Sequence, residues 1–157
     1  MKILVAYYSR SGNTKKMAEA VAAGVKKAGV DSDLREVTTI EVDELPQYDA
    51  YIFGSPTYYG LMAAEMKKLL DESVAHHGKL SGRVGGAFTS AGGIGGGAET
   101  TVLSILEALL IHGMVVVGEA GSFHYGPVAI GKPNDSVLEA CSKYGLKVAN
   151  LMKIIVR

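Results

Sequence analysis

The stretch that decides the fold lies at the start of the chain and reads Ile3-Leu4-Val5-Ala6-Tyr7-Tyr8, followed by Ser9-Arg10-Ser11-Gly12-Asn13-Thr14. The first six residues are apolar or aromatic, which predicts a strand buried on both faces. The next six combine three hydroxyl side chains with a glycine and an asparagine, and a helical pattern follows. Backbone N–H groups at a helix start, with hydroxyls beside them, suit the oxygens of a monophosphate. An ordinary helix start with Asn13 or Thr14 as its N-cap is the alternative.

Apolar runs of the same kind recur at residues 51–54, 84–88 and 114–117, and a more polar run lies at 33–37. Helical patterns separate or follow them, formed by Met17, Val21 and Val25; by Met62, Met66, Leu69 and Leu70; by Leu103, Leu106, Leu109 and Leu110; and by Val137, Cys141, Tyr144, Val148 and Leu151. The last helix is expected to begin near Asn134 or Asp135, just after Pro133. The alternation predicts one α/β domain over residues 1–157, a doubly wound five-stranded parallel sheet with helices on both faces.

Charge and cysteine content exclude several classes of function. Sixteen Lys and Arg residues balance sixteen Asp and Glu residues, so no net field attracts the chain to nucleic acid or to anionic lipid. Cys141 is the single cysteine, which excludes an internal disulfide and fits a reducing compartment. No apolar run approaches the length of a membrane span. We therefore expect a cytoplasmic protein with no membrane span and no nucleic-acid partner.

Two further loops follow predicted strands and share the edge of the sheet where ligands bind in open α/β folds. They read Ser55-Pro56-Thr57-Tyr58-Tyr59-Gly60 and Thr89-Ser90-Ala91-Gly92-Gly93-Ile94-Gly95-Gly96-Gly97. The tyrosine pair in the second loop favours contact with a planar ligand, although Tyr58 or Tyr59 could instead pack under the third predicted helix. Five glycines in the third loop favour close approach of its backbone to a ligand.

Competing nucleotide-binding motifs fit less well. Residues 93–98 match a dinucleotide fingerprint, and Glu119 follows about 20 residues later, but that fingerprint belongs to the first strand–helix turn of its unit. A Walker A loop is excluded because no Gly-Lys-Ser/Thr follows the first loop. A phosphoacceptor receiver domain would need clustered aspartates at the strand ends, where this chain has Tyr8-Ser9 and Gly54-Ser55.

Five motifs resemble one family, in its order along the chain: Tyr7-Tyr8-Ser9-Arg10-Ser11-Gly12-Asn13-Thr14, Phe53-Gly54-Ser55-Pro56-Thr57-Tyr58-Tyr59-Gly60, His77-Gly78-Lys79-Leu80, Gly95-Gly96-Gly97-Ala98-Glu99-Thr100-Thr101 and His112-Gly113-Met114-Val115-Val116-Val117. The sequence resembles the flavodoxin superfamily, and within it the WrbA-type NAD(P)H:quinone oxidoreductases. The resemblance implies a strand order of 2-1-3-4-5 and flavin mononucleotide (FMN) as the cofactor.

The resemblance also implies roles for individual residues. The FMN phosphate would be held by Ser9, Arg10, Ser11, Gly12, Asn13 and Thr14. The flavin ring would lie between Pro56, Thr57, Tyr58, Tyr59 and Gly60 on one side and Ser90, Ala91, Gly92, Gly93, Ile94, Gly95 and Gly96 on the other. His112 is similar to a histidine that lies near the flavin in the family, which makes it the catalytic candidate; the alternative is an ordinary helix C-terminal residue. His76, His77 and His124 are scattered without paired carboxylate spacing, so no metal site is predicted.

Two functions stay open. The first is a two-electron enzyme that takes electrons from NADH or NADPH and passes them to a quinone-like acceptor; the second is a flavodoxin that carries electrons between redox protein partners. Residues 54–62 and 88–97 contain no Asp or Glu, which favours the enzyme because carboxylates near a flavin oppose its reduced anion. Ser11 stands where the WrbA-type family often has an aromatic residue, and an aromatic-bearing insertion before His77 is missing. A homo-oligomer is compatible with either function.

Overall fold

The fold is given by a computed structural model that describes residues 1–156. Its strands are β1 (Lys2–Tyr7), β2 (Asp31–Glu36), β3 (Ala50–Tyr58), β4 (Leu61–Met62), β5 (Val84–Ala91), β6 (Val115–Val116) and β7 (Val128–Ile130). Its α-helices are α1 (Asn13–Lys27), α2 (Ala64–Glu72), α3 (Ala98–Ile111) and α4 (Asp135–Ile155). Short 3-10 segments occupy Val37–Thr39, Val42–Gln47 and Ser73–His76.

The main strands run parallel in the order β2-β1-β3-β5-β6, which confirms the predicted doubly wound sheet. The fifth position differs from the prediction because two short strands share it. β6 pairs with the start of β5, and β7 pairs with its end, where Thr89 lies opposite Val128. The strand predicted at 114–117 is therefore only half of this position, and the chain leaves the sheet between the two halves.

Tyr144 of α4 occupies the gap that this departure opens. Its buried hydroxyl donates a hydrogen bond to the Val117 carbonyl (2.8 Å) and accepts one from the Ala87 N–H (3.3 Å). Gly86 lies directly beside it, where a Cβ would come within 2.7 Å of the tyrosine oxygen. One side chain thus satisfies backbone groups that a continuous fifth strand would otherwise pair.

Alternating strand residues face two helical layers. Ile3 and Val5 pack with α1 and α4 on one face, whereas Leu4 and Ala6 pack with α2 and α3 on the other. The last helix begins as predicted, since the Asn134 side chain accepts a hydrogen bond from the Val137 N–H at 3.0 Å. In residues 1–156, no helix is both long and apolar enough to cross a membrane.

Met62 corrects one predicted helix. The sequence pattern placed it in the helix with Met66, but Met62 pairs antiparallel with Thr57 in a β3–β4 hairpin. The Ala63 N–H then donates to the Ser55 hydroxyl at 2.8 Å, and α2 begins at Ala64. This hairpin positions the second predicted loop, because its turn consists of Tyr59 and Gly60 between the paired strands.

Candidate functional site

The three predicted loops leave the carboxyl ends of β1, β3 and β5, which are neighbours in the sheet. After β1 the chain turns to β2 on one side, and it then crosses to β3 on the other. Ligands of open α/β sheets bind outside such a switch point. The topology therefore brings the loops together at the edge where a ligand is expected.

The first loop leaves the start of α1 open. Gly12 is the N-cap residue with a φ of 88°, and no side chain of the described residues caps this helix. The Gly12 N–H donates to the Ser9 hydroxyl at 3.1 Å, which holds the loop in its turn. Arg10 and Ser11 are exposed at the tip of the loop. The alternative in which Asn13 or Thr14 caps the helix is not what the structure shows, so the first-turn N–H groups remain available to an anion.

Hydroxyl groups tie the three loops to one another. The Thr14 and Ser90 hydroxyls lie 2.8 Å apart, and this pair joins the first loop to the third. The Thr57 and Thr89 hydroxyls lie 3.0 Å apart across β3 and β5. Thr14 is almost fully buried, so its hydroxyl serves this internal contact. Hydrogen bonds between side chains of the same edge therefore fix the relative positions of the loops.

The second loop is partly strand and partly exposed turn. Pro56 is buried within β3 and lies opposite Ser90, whereas Tyr58 is about one-third exposed (37%) at the strand end. Tyr59 is fully exposed and has a φ of 49°, a backbone conformation that non-glycine residues rarely adopt. It does not pack under a helix. The Thr100 hydroxyl donates to the Gly60 carbonyl at 2.6 Å and anchors this turn to the start of α3.

The third loop begins with two buried strand residues, Ser90 and Ala91, and then becomes exposed. Gly92, Gly93 and Gly95 have open space where a Cβ would stand, with no atom of the described residues within 4 Å. Ile94 between them is 93% exposed. Gly96 continues this exposed run to the first turn of α3. A bare backbone beside an exposed isoleucine can approach a flat ligand closely.

The sequence did not indicate that Glu65, Glu99 and the segment 122–126 lie near these loops. The Glu65 carboxylate beside the Tyr8 hydroxyl raises the pKa of that tyrosine. Glu99 lines a cavity of about 290 Å³ together with Ile94 and residues 122–126. Residues 54–62 and 88–97 contain no acidic side chain, but the first turns of α2 and α3 follow them directly and lie at the same edge of the sheet. Glu65 and Glu99 each follow the end of a loop within five residues along the chain, and this is the signal that could have identified both acids.

His112 does not join the loop cluster in this chain. It follows the last residue of α3, whereas the third loop precedes the first, and 14 helical residues span about 21 Å. Its Nε2 lies 2.7 Å from the Ser73 hydroxyl. His77 is a neighbour of His112, and the two ring centres lie 6.3 Å apart. In residues 1–156, no group of three His, Cys, Asp or Glu side chains is arranged to hold a metal ion.

Comparison with known proteins agrees with this geometry. A family model described as a flavodoxin domain matches residues 4–92. A protein named flavodoxin from Aquifex aeolicus is 37% identical over 99% of this chain and 89% of its own length. A protein named NAD(P)H dehydrogenase (quinone) from Archaeoglobus fulgidus is 35% identical, with 96% of each chain covered. The solved structure of a WrbA-like flavodoxin from Agrobacterium tumefaciens has a TM-score of 0.85 and 29% identity, with 98% of each chain covered. The resemblance predicted from the five motifs is confirmed, and the chain belongs to the flavodoxin family.

Proposed function

We propose that the chain binds FMN at the three-loop edge and acts as an NAD(P)H:quinone-type oxidoreductase. One observation carries the cofactor assignment: three features meet at the switch point of the sheet. They are a helix start that no side chain of residues 1–156 caps, an exposed tyrosine turn, and a glycine loop without side chains. A phosphate and a flat ring in one ligand match these three features. When bound, FMN supplies the redox chemistry of the protein.

The first loop suits the phosphate end of the cofactor. Backbone N–H groups in the first turn of α1 point to the position of an anion, and the helix dipole favours negative charge there. The exposed Ser11 hydroxyl and the Arg10 guanidinium stand beside them. Thr14 contributes by holding this loop against Ser90. These residues would bind and orient the phosphate.

The second and third loops suit the ring. Tyr59 and Ile94 are large side chains that remain almost wholly exposed at this edge, so a ligand that covered them would gain from burying their apolar surface. The glycines at 92, 93 and 95 remove side chains that would keep a ring away. Ring and loops together would exclude water from the place where electrons are exchanged.

The electron donor and acceptor are proposed from the named relatives and from the charges near the loops. The relative from Archaeoglobus fulgidus is named NAD(P)H dehydrogenase (quinone), which supports the enzyme. An electron carrier between redox proteins is the second candidate, and the relative from Aquifex aeolicus is named flavodoxin. Glu65 and Glu99 favour this second candidate, because carboxylates at the flanks of the loops oppose added negative charge on the cofactor.

A fluorescence titration with FMN and with riboflavin tests the cofactor assignment. Two charge-assisted hydrogen bonds to the phosphate, at about 1.5 kcal/mol each, predict that FMN binds about a hundredfold more tightly than riboflavin. Ser11→Ala should weaken FMN about tenfold and leave riboflavin unchanged. Ser136→Ala, at an exposed serine in the first turn of α4, is the matched control. Equal affinities for the two flavins would refute the phosphate loop.

Anaerobic reduction separates the enzyme from the carrier. The FMN-loaded protein is mixed with NADH or NADPH, and bleaching of the flavin absorbance is followed before and after a quinone is added. An oxidoreductase is reduced within its turnover time by at least one nicotinamide and is reoxidised by the quinone. Reduction by dithionite but by neither nicotinamide would favour the carrier.

A further inference from the structure

A second cleft lies on the α2–α3 side of the molecule, away from the first and third loops. It has a volume of about 390 Å³ and runs between α2 and α3, with walls that include Leu61, Leu70, Val74 and Ile111. His77 and His112 line it as well. Val74 and Ile111 are each about 70% exposed. The volume falls within the range of small-molecule pockets, about 300 to 1,000 Å³.

His112 gives this cleft one specific polar group. The Ser73 hydroxyl donates its proton to the Leu70 carbonyl at 2.6 Å, so it can only accept from His112 Nε2 at 2.7 Å. This network assigns the proton to Nε2 and leaves Nδ1 as an acceptor. Nδ1 is buried and has no hydrogen-bond partner among residues 1–156. His112 as a whole is 93% buried, with a relative exposure of 7%.

An acceptor in this setting selects the charge of its ligand. Burial, with His77 and His76 nearby, lowers the pKa of His112, so the ring stays neutral. The other polar side chains of the cleft include Lys67, which is paired with Asp71 at 2.6 Å, and Glu107. A carboxylate ligand would meet an acceptor rather than a donor, and it would face two acidic side chains against one paired lysine. A neutral molecule with an O–H donor meets neither obstacle.

We propose that the α2–α3 cleft binds a neutral phenol, with the ring between the apolar walls and the O–H donating to His112 Nδ1. A phenol is favoured over an aliphatic alcohol because its more acidic O–H is the stronger donor to an imidazole nitrogen. Nδ1 is covered in the structure, so the phenol reaches it by displacing a neighbouring group. The exposed His77 ring, whose centre lies 6.3 Å from that of His112, is one group that can move, since exposed side chains change rotamer within nanoseconds.

The cleft also touches the second cofactor loop. Leu61 and Met62 line the cleft, and they pair with Tyr58 and Thr57 in the β3–β4 hairpin. A phenol in the cleft would therefore contact β4, which pairs with the end of β3 that borders the proposed ring site. Binding itself does not depend on the proposed function, because every residue of the cleft lies outside the phosphate and glycine loops.

Three matched probes test the ligand class: 2-naphthol, its methyl ether 2-methoxynaphthalene, and 2-naphthoate. Each is titrated into ¹⁵N-labelled protein, with and without saturating FMN, and amide shifts are mapped by NMR. We expect 2-naphthol to shift residues 70–74 and 108–112 in both samples, and to bind about five- to tenfold more tightly than the ether, the effect of one hydrogen bond. The naphthoate should not bind in the cleft. Shifts confined to residues 57–60 and 92–96, or equal affinities for naphthol and ether, would overturn the proposal.

Two variants separate the hydrogen bond from the cavity. His112→Phe keeps a ring but removes the acceptor, so the preference for naphthol over the ether should disappear. Val74→Glu changes an exposed wall residue and should weaken both neutral probes without affecting the folded core. His124→Phe, at a histidine outside the cleft, should leave both affinities unchanged. Retention of the naphthol preference in a folded His112→Phe protein would exclude His112 as the acceptor.

Discussion

The two faces of the sheet are covered in different ways. On one face, α1 and α4 pack backbone to backbone, since a Cβ at Gly24 would collide with the Ser142 carbonyl and a Cβ at Gly145 with the Val21 carbonyl. On the other face, α2 has only nine residues and passes into a 3-10 turn. The contact there is incomplete, and the cleft above His112 remains open. The closed face stabilises the fold, whereas the open face leaves an unpartnered acceptor in residues 1–156.

The difference shows how one sheet supports both stability and binding. Close helix contact needs small residues, and α1 and α4 each provide a glycine at their crossing. Ligand sites are expected where neighbouring elements leave open space between them, as at the three-loop edge and between α2 and α3. The expected effects of substitutions therefore depend on the face that they disturb.

The largest effect is expected from Gly145→Ala on the closed face. The new methyl group would meet the Val21 backbone, which cannot rotate away as a side chain could. We expect the free energy of unfolding to fall by about 3 kcal/mol, measured by urea denaturation. Gly92→Ala is the control, because its Cβ meets no described atom within 4 Å, and it should change stability by less than about 0.5 kcal/mol. Equal losses in the two variants would contradict the difference between closed and open regions.

A smaller effect is expected where the closed face supports the interrupted strand. Tyr144→Phe keeps the ring but leaves the Ala87 N–H and the Val117 carbonyl without their partner. Leaving such buried groups unpaired should reduce the free energy of unfolding by about 2 kcal/mol and speed hydrogen exchange at Ala87. Tyr58→Phe, at a partly exposed ring, should be nearly neutral. If Tyr144→Phe is equally neutral, water or a shifted β6 already satisfies these groups.

The sequence predicted the parts of this fold that have strong periodic patterns. β1, β3 and β5 are long apolar runs, and the rule for parallel sheets placed their loops at one edge. β7 was missed because three residues after an aperiodic segment give no measurable pattern. The short hairpin was missed because Met62 also continues the apolar spacing of α2. Boundaries of this kind are set by hydrogen bonds such as that of Ser55, which composition does not reveal.

The site was predicted unevenly for a related reason. The sequence indicated the loop residues, which are adjacent along the chain. It did not indicate Glu65 and Glu99, which the starts of α2 and α3 bring close to the loops. The separation of His112 was available from the sequence, since a helix from residue 98 to 111 places its two ends about 21 Å apart. The prediction of His112 as a catalytic residue followed the resemblance to a histidine near the flavin, and it did not take this distance into account. Only the structure showed that His112 lines a different cleft.

The smallest expected effect is the pH dependence that His112 gives to the open face. Burial and the neighbouring His77 and His76 lower its pKa in the folded protein, whereas an unfolded chain has the ordinary value of about 6.5. As pH falls below that value, the unfolded chain binds a proton that the folded protein does not, so the free energy of unfolding decreases until the folded pKa is passed. The stabilisation is complete above the unfolded pKa.

Urea unfolding at intervals from about pH 7.5 to about pH 5.5 measures this slope. Asp33, Glu119 and Glu139 also have lowered pKa values, but these carboxyl groups lose their stabilisation near and below about pH 4, outside this window. His112→Phe should flatten the curve, because the substituted ring cannot be protonated in either state. His124→Phe should keep the slope of the wild-type protein. An unchanged slope in His112→Phe would mean that another group titrates on folding, and the assignment of a neutral, unpartnered His112 to the open face would be wrong.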